Sequence, residues 1–344
     1  MELVPIINED EQSKLNTSMI DSTYKQASEP NVLSATKAVE QNPFIEANTK
    51  DVSLSCLKED CIIPVFAKDN EKTIAHQEFI EVTQECIQSV FPNEQIDFPE
   101  IRVSHEIKGR IPSAIHKQAK ELLEHEKTMY YERMAFAIKI PSITETINNN
   151  TLSLIVGGVR AYNHENLYSK RTYEKFKFFV GFQNLVCCNL CVSTDGFKSD
   201  MRVGSIEELQ NKIQQVLLNY QAKNHIKQMK ELVRHSLSEH QFAQLIGKTR
   251  LYNYLPNEQK KALPQMDFSD RQMNTIAKDY YWCDSFSKDS NGNINLWNVY
   301  NLFTSANKSS YIDSFLDRNA NAFDFSKGLA TALDGDSKYQ WFLD

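Results

Sequence analysis

The sequence predicts an α+β fold: a central antiparallel sheet followed by long helices, with a helical C-terminal part and a disordered N-terminal tail. Three observations lead there. Residues 129–203 hold a series of short alternating apolar segments with no helical stretch between them, as strands joined by hairpins do. From residue 205 the apolar positions fall three and four apart behind serine caps, which is the helical period. Residues 1–50 are rich in Ser, Thr, Asn and Glu, with apolar residues only in small groups such as "VPII" and "PFI".

Taken in order, the chain divides into an acidic tail (1–50), an α+β core (51–260) and a helical C-terminal subdomain (261–344). Order is expected to begin near "CIIPVFAKD" (61–69). "TIAHQEFIEVTQECIQSVF" (73–91) places Phe79, Val82, Cys86, Ile87 and Val90 on one helical face. A second helix is expected at 113–128. Strands follow at 129–143, 151–163, 175–182 and 185–193, the last two joined by a tight turn at Gln183–Asn184. "MRVGS" (201–205) adds a short further strand. Gly157 and Gly158, inside a strand, mark a bulge or a close backbone approach. Capping boxes at Ser205–Glu208 and Ser238–Gln241 open two helices. Pro256 and Pro264 punctuate a linker, and helices are expected near 270–283, 295–306 and 310–334.

Composition narrows the function. The chain has 344 residues, 41% of them hydrophobic, which is the make-up of a folded protein. No apolar run approaches the roughly 18–20 residues of a membrane span, and the acidic start is no signal peptide. Seven cysteines, odd in number and unevenly spaced, point to free thiols in a reducing cytoplasm. The net charge of −7 is unevenly spread: residues 1–100 carry 7 basic and 19 acidic side chains, residues 101–260 carry 23 and 15, and residues 261–344 carry 8 and 11. A basic middle between acidic ends suits a polyanion-binding core, and equally suits ordinary drift of charge along a long chain.

The densest chemistry-bearing cluster is "VGFQNLVCCNLCVSTDG" (180–196), with Cys187, Cys188 and Cys191. Read as a strand, it sends Cys188 and Cys191 to opposite faces and separates Cys187 from Cys191 by roughly 13 Å. Thiolates on one zinc converge at about 2.3 Å, so an extended strand cannot chelate with this trio. Structural cysteine is therefore favoured over a metal or redox role. "DSNGNIN" (289–295) echoes a calcium loop, but Asn298 stands where a bidentate Glu is needed, and an Asn-Gly turn leading into a helix explains it better. The eight histidines show no H-E-x-x-H, and no Ser sits in a nucleophile elbow. No catalytic residue, cofactor or metal is expected.

"NLYSKRTYEKFKFF" (166–179) interleaves Tyr168, Tyr173, Phe176 and Phe178 with Lys170, Arg171, Lys175 and Lys177. Cations there track phosphates while aromatic rings give unpaired bases a stacking face. Arg102, Lys108, Arg110 and Arg160 extend the set. The plain alternative is a solvated edge strand defended by lysines.

The runs "RVSHEIKGRIP", "EKTMYYERMAF", "GGVRAYNHENLYS", "FVGFQNLVCCNLCV", "QFAQLIGKTRLYNYLP" and "NLWNVYNLFTSANKSSYIDSFLDR" together resemble an uncharacterised bacterial family, a domain of unknown function carried in genomic islands and plasmid- or phage-derived regions. The likeness covers about residues 60–344. The chain is also similar, remotely, to the phage/plasmid-like protein family. That family pairs a "VC-x-N" strand, here Val186, Cys187 and Asn189, with a later "YN" helix, here Tyr300, Asn301 and Thr304. Leu302–Phe303 and Asn307–Lys308 depart from that family's pattern. The resemblance implies mobile-element biology. Three functions follow as expectations: a non-enzymatic nucleic-acid-binding accessory protein, with single-stranded DNA as partner; a protein-interaction module, for example a modulator of host defence; or an enzyme acting on nucleic acid. The first is preferred. No membrane partner is expected, and the reading leaves room for a homo-oligomer.

Overall fold

The computed structural model describes residues 43–61, 73–114, 116–162 and 173–344. The expected tail falls mostly outside them, but its last part is built into the fold. Phe44 and Ile45 are buried, and the backbone N–H groups of Glu46 and Ala47 donate to the Lys308 carbonyl. The "PFI" group is thus an apolar plug rather than part of a solvated tail.

In chain order the elements are β1 (Lys50–Asp51), α1 (Leu54–Glu59), α2 (His76–Val90), β2 (Glu100–Val103), β3 (Glu106–Arg110), β4 (Lys127–Tyr131), β5 (Arg133–Ile147), β6 (Asn150–Ala161), β7 (Glu174–Asn184), β8 (Leu190–Cys191) and β9 (Phe197–Val203). Then follow α3 (Ile206–Asn219), α4 (Ala222–Leu232), β10 (Ser236–Leu237), α5 (Glu239–Tyr252), α6 (Asn257–Ala262), α7 (Asp270–Trp282), β11 (Ile294–Asn295), α8 (Leu296–Asn307) and α9 (Ile312–Leu333).

The main sheet is antiparallel in the order β1-β2-β5-β6-β7. The outer edge of β7 is shared: β9 pairs with its first half and β8 with its end. Alternation along the strands gives the sheet two apolar faces. Phe136, Ile138, Val156, Phe176 and Phe178 point toward α2 and α3, where Phe79 meets the rings of Phe136 and Phe176 edge-on. Ala135, Ile155, Val159 and Phe179 point the other way, under Phe44, Ile45 and the first turns of α9. The paired glycines permit close packing on the two faces, Gly158 against Phe79 and Gly157 against Phe179. A Cβ on Gly158 would stand 2.4 Å from the Phe79 ring, and one on Gly157 would stand 2.1 Å from the Phe136 carbonyl oxygen. The register shift in this hairpin lies elsewhere, between Ile140 and Thr144.

Residues Gln41–Asp344 form one compact unit. Trp297, Tyr300 and Phe323 lie in the same hydrophobic core as Phe136 and Phe176, across the boundary expected at residue 260. The serine caps fall where expected: Ser205 Oγ accepts from Glu208 N at 3.2 Å, and Ser238 and Gln241 bond reciprocally. Two helix–loop–helix arms, α4–α5 and α7–α8, are joined by the antiparallel β10–β11 ladder. In the second arm, Asp289 Oδ1 accepts from the backbone N–H groups of Asn291 and Asn293, and Gly292 takes φ +84°. The "DSNGNIN" stretch is a turn closed by its own aspartate.

Two of the expected elements do not form as read. No α-helix forms among the described residues of 113–128. Glu121 and Glu126 accept from the backbone N–H groups of Gln118 and Leu123, three residues back, and close separate 3₁₀ turns before β4. The segment at 185–193 is also not one strand. β7 runs on through Gln183–Asn184, residues 185–187 turn, and only Leu190–Cys191 pair with it.

Candidate functional site

The hairpin turn places the cysteines differently from the strand reading. Cys188 takes φ +56°, and its N–H donates to Asn184 O at 2.8 Å, so the turn closes without Gly or Pro. Cys191 is buried in β8, and burial raises its thiol pKa. Burial likewise pushes Cys187 up to about 11. These are thiols with little thiolate character. Among the described residues, no group of His, Cys, Asp and Glu side chains is placed to hold a metal ion.

The turn instead docks on α8 through buried amides. Asn184 Nδ2 donates to Asn301 Oδ1 at 3.1 Å, and Asn189 Nδ2 donates to the Asn301 carbonyl at 3.0 Å. Asn301 Nδ2 donates in turn to Trp297 O. Lys308, almost fully buried, donates to Cys187 O at 2.6 Å. Each amide NH2 named here finds an acceptor, which makes this a structural joint, although Asn189 Oδ1 has no partner among the described residues.

The basic set separates. Arg160 is only 1% exposed and lies on the α2 face, where its guanidinium pairs with Glu174 and donates to Ile74 O. Its charge is therefore neutralised inside the protein and adds nothing to a surface. Arg102 donates to Thr49 and holds β1 to the sheet. It shares a row with Lys177 through Ala135 and Val159, but three strand spacings, roughly 14 Å, separate them. Lys108 is exposed on the β3–β4 ribbon, and Arg110 beside it donates to Lys117 O. Tyr168, Lys170 and Arg171 lie outside the described residues.

Lys175 and Lys177 do come together. They line a cavity of about 190 Å³ with Arg202, Ser199 and Asp200 of β9, over a floor of Val159 and Ala161, with Asp313 of α9 at its wall. The strand period explains the grouping: Lys175 and Lys177 are two apart on one face of β7, and Lys175 pairs in register with Arg202. A second hollow continues along β9, sharing Asp200 and Arg202 and adding Lys198 and Lys212. Tyr173, at the start of this edge and 59% exposed, lies beside Gly204, which follows β9. The result is a shallow groove along β9 with cations on both sides.

Three of these cations are held by carboxylates of the same chain. Lys177 Nζ contacts Asp317 and the Asp313 carbonyl. Arg202 pairs with Asp200 at 2.9 Å and holds that carboxyl below its usual range. Lys212 pairs with Glu208 at 2.8 Å. Arg133, which pairs with Ala161 across the β5–β6 ladder, binds Asp313 Oδ1 through Nε at 2.9 Å. Arg133, Lys198, Arg202 and Lys212 were not in the predicted set. The sequence signal for Arg202 was present in "KSDMRVG", but only the pairing register shows that it faces Lys175.

The sequence pattern of a domain of unknown function, described from B. Theta genes as DUF3871, matches residues 26–343. The chain belongs to the DUF3871 family. No curated protein matches it, and no solved structure does. Among the described residues, no helix is long and apolar enough to cross a membrane.

Proposed function

We propose that this protein is a non-enzymatic nucleic-acid-binding accessory protein of a mobile element, which takes single-stranded DNA along the β9 groove. The observation that carries the reading is the meeting of Lys175, Lys177 and Arg202 in one cavity beside the half-exposed Tyr173 ring. Cations along a groove follow a phosphate backbone, and an exposed ring at its end offers a base a π-face. The mobile-element part rests on the phage/plasmid-like resemblance. Its two motifs touch in the fold, where Asn189 and Cys187 meet Asn301. Seven free thiols suit a reducing cytoplasm.

A protein-interaction module is the second reading. It is favoured by Trp282, which is 76% exposed at the end of α7, next to the exposed Tyr281.

Fluorescence anisotropy with a labelled oligothymidylate separates the two. The oligomer should exceed the ~4–16 nucleotides that a single-strand groove covers. Binding should weaken steeply between about 50 and about 200 mM salt. Lys175→Glu with Arg202→Glu should weaken it for every sequence and flatten the salt slope, since phosphate contacts carry no sequence information. Tyr173→Ala should cost about 1–3 kcal/mol of binding with little change in slope. Absence of binding at low salt would rule the nucleic-acid reading out.

A further inference from the structure

The cavity between β7, β9 and α9 combines features that neither the cations nor the helix would give alone. Lys175, Lys177 and Arg202 line it, Arg133 stands opposite the lining residue Ala161 and pairs with Asp313, and the N-terminal end of α9, which carries a partial positive charge, opens onto it at Asp313. So much positive potential around one small hollow calls for an anion. The anions present are side chains of the chain itself: Asp313 on Arg133, Asp317 on Lys177 and Asp200 on Arg202.

We infer that the cavity is a phosphate subsite of the nucleic-acid groove, and that Asp313, Asp317 and Asp200 occupy, in the free protein, the places that phosphate oxygens take on binding. The inference rests on the nucleic-acid reading of the groove and adds to it the mode of entry, which is exchange of one oxyanion for another. The geometry suits exchange. A carboxylate and a phosphate both offer charged oxygen acceptors to the same Lys and Arg donors. Asp200, which lines the cavity, is half exposed, and Asp317, which reaches it through Lys177, is more than one-third exposed, so each turns outward without uncovering the core. Asp313 is more enclosed and bound to Arg133. A carboxylate displaced into solvent regains a mobile cation, which cancels part of the cation release that drives polyanion binding. The chain's own carboxylates therefore lower both affinity and salt dependence.

The test is binding of the same labelled oligothymidylate to Asp317→Asn, Asp200→Asn and their double variant. Asp324→Asn is the control: it removes a surface carboxylate of the same helix that pairs with Lys327 and Thr194, outside the cavity. Each cavity variant should bind about fivefold tighter, as expected for removing an exposed ion pair that competes with the ligand. The salt slope should steepen by up to about one per carboxylate removed. Asp324→Asn should do neither. Thermal melts of all four variants check that they fold. If the wild type binds and the cavity variants gain no more than Asp324→Asn, exchange is overturned and the groove reading stands. If no form binds, the groove reading itself falls.

Discussion

The side chains of Asn184 and Asn301, 117 positions apart, meet at 3.1 Å inside the protein, both fully buried. The bond ties the end of β7 to the middle of α8. Because Asn301 also donates to Trp297 O, its amide is satisfied only in one orientation. Replacing Asn301 with Leu should strand the Asn184 amide and cost about 1–3 kcal/mol, the penalty for a buried polar group left without a partner. Urea unfolding of Asn301→Leu, Asn184→Leu and the double variant checks it: the double should cost less than the two singles together.

Arg160 and Glu174 form a buried ion pair, with Glu174 also accepting from Ile74 N at 3.1 Å. Removing one partner leaves an uncompensated charge away from water. Glu174→Gln should therefore destabilise by about 3–5 kcal/mol, whereas an apolar replacement of both residues should recover much of that loss. Equal losses in the single and double variants would contradict the argument.

Acid should unfold this protein through two histidines. His76 donates from Nε2 to Tyr131 O and stacks on Tyr162, and His225 bonds Tyr220 through Nδ1. Burial holds both neutral, down to about 3 from 6.5. The unfolded chain thus binds protons that the folded one refuses. Stability is complete above pH 6.5 and falls as the pH drops toward 3, by up to about 1.4 kcal/mol per pH unit for each histidine. Denaturant midpoints for the wild type and His225→Phe across that window give the test. The variant should lose stability less steeply, and parallel curves would refute the assignment.

Cys188 holds a left-handed conformation that costs a non-glycine residue roughly 1–2 kcal/mol. Cys188→Gly should be neutral to stabilising by about 1 kcal/mol after the entropy of the unfolded chain is included. Cys188→Val, β-branched, should destabilise. A purely packing role for this thiol predicts the reverse order, and thermal melts of the pair decide.

Much of the fold was legible because its signals are local. The strand period of 2 at 129–182 and the serine caps at 205 and 238 each depend on residues within a few positions of one another. The failures mark where that locality ends. "LVCCNLCV" is apolar enough to pass for a strand, yet the Asn184–Asn189 hydrogen bonds close a turn inside it. "HKQAKELLEHEK" has helix formers throughout, but Glu121 and Glu126 reach back to their own backbone, and Leu123 remains exposed. α4 went unread because it is short and polar, and only two residues separate it from α3. At the candidate site, Lys175 and Lys177 were visible as alternating cations. Arg202, Arg133 and Asp313 were not, because strand register and helix docking bring them there from distant parts of the chain.

The two-sided burial of α9 has a consequence for how the protein is made. Its first turns cover the Ala135–Val159–Phe179 face, while Phe323, Phe325 and Leu329 belong to the other core. Neither task is done until α9 has left the ribosome. At about 5–20 residues per second, roughly 7–30 s pass between completion of β7 and completion of α9. Throughout that interval the newborn sheet offers a bare apolar face, Ile155 and Phe179 included, to whatever else is in the cell. Survival of the nascent chain then depends on the attention of chaperones during synthesis.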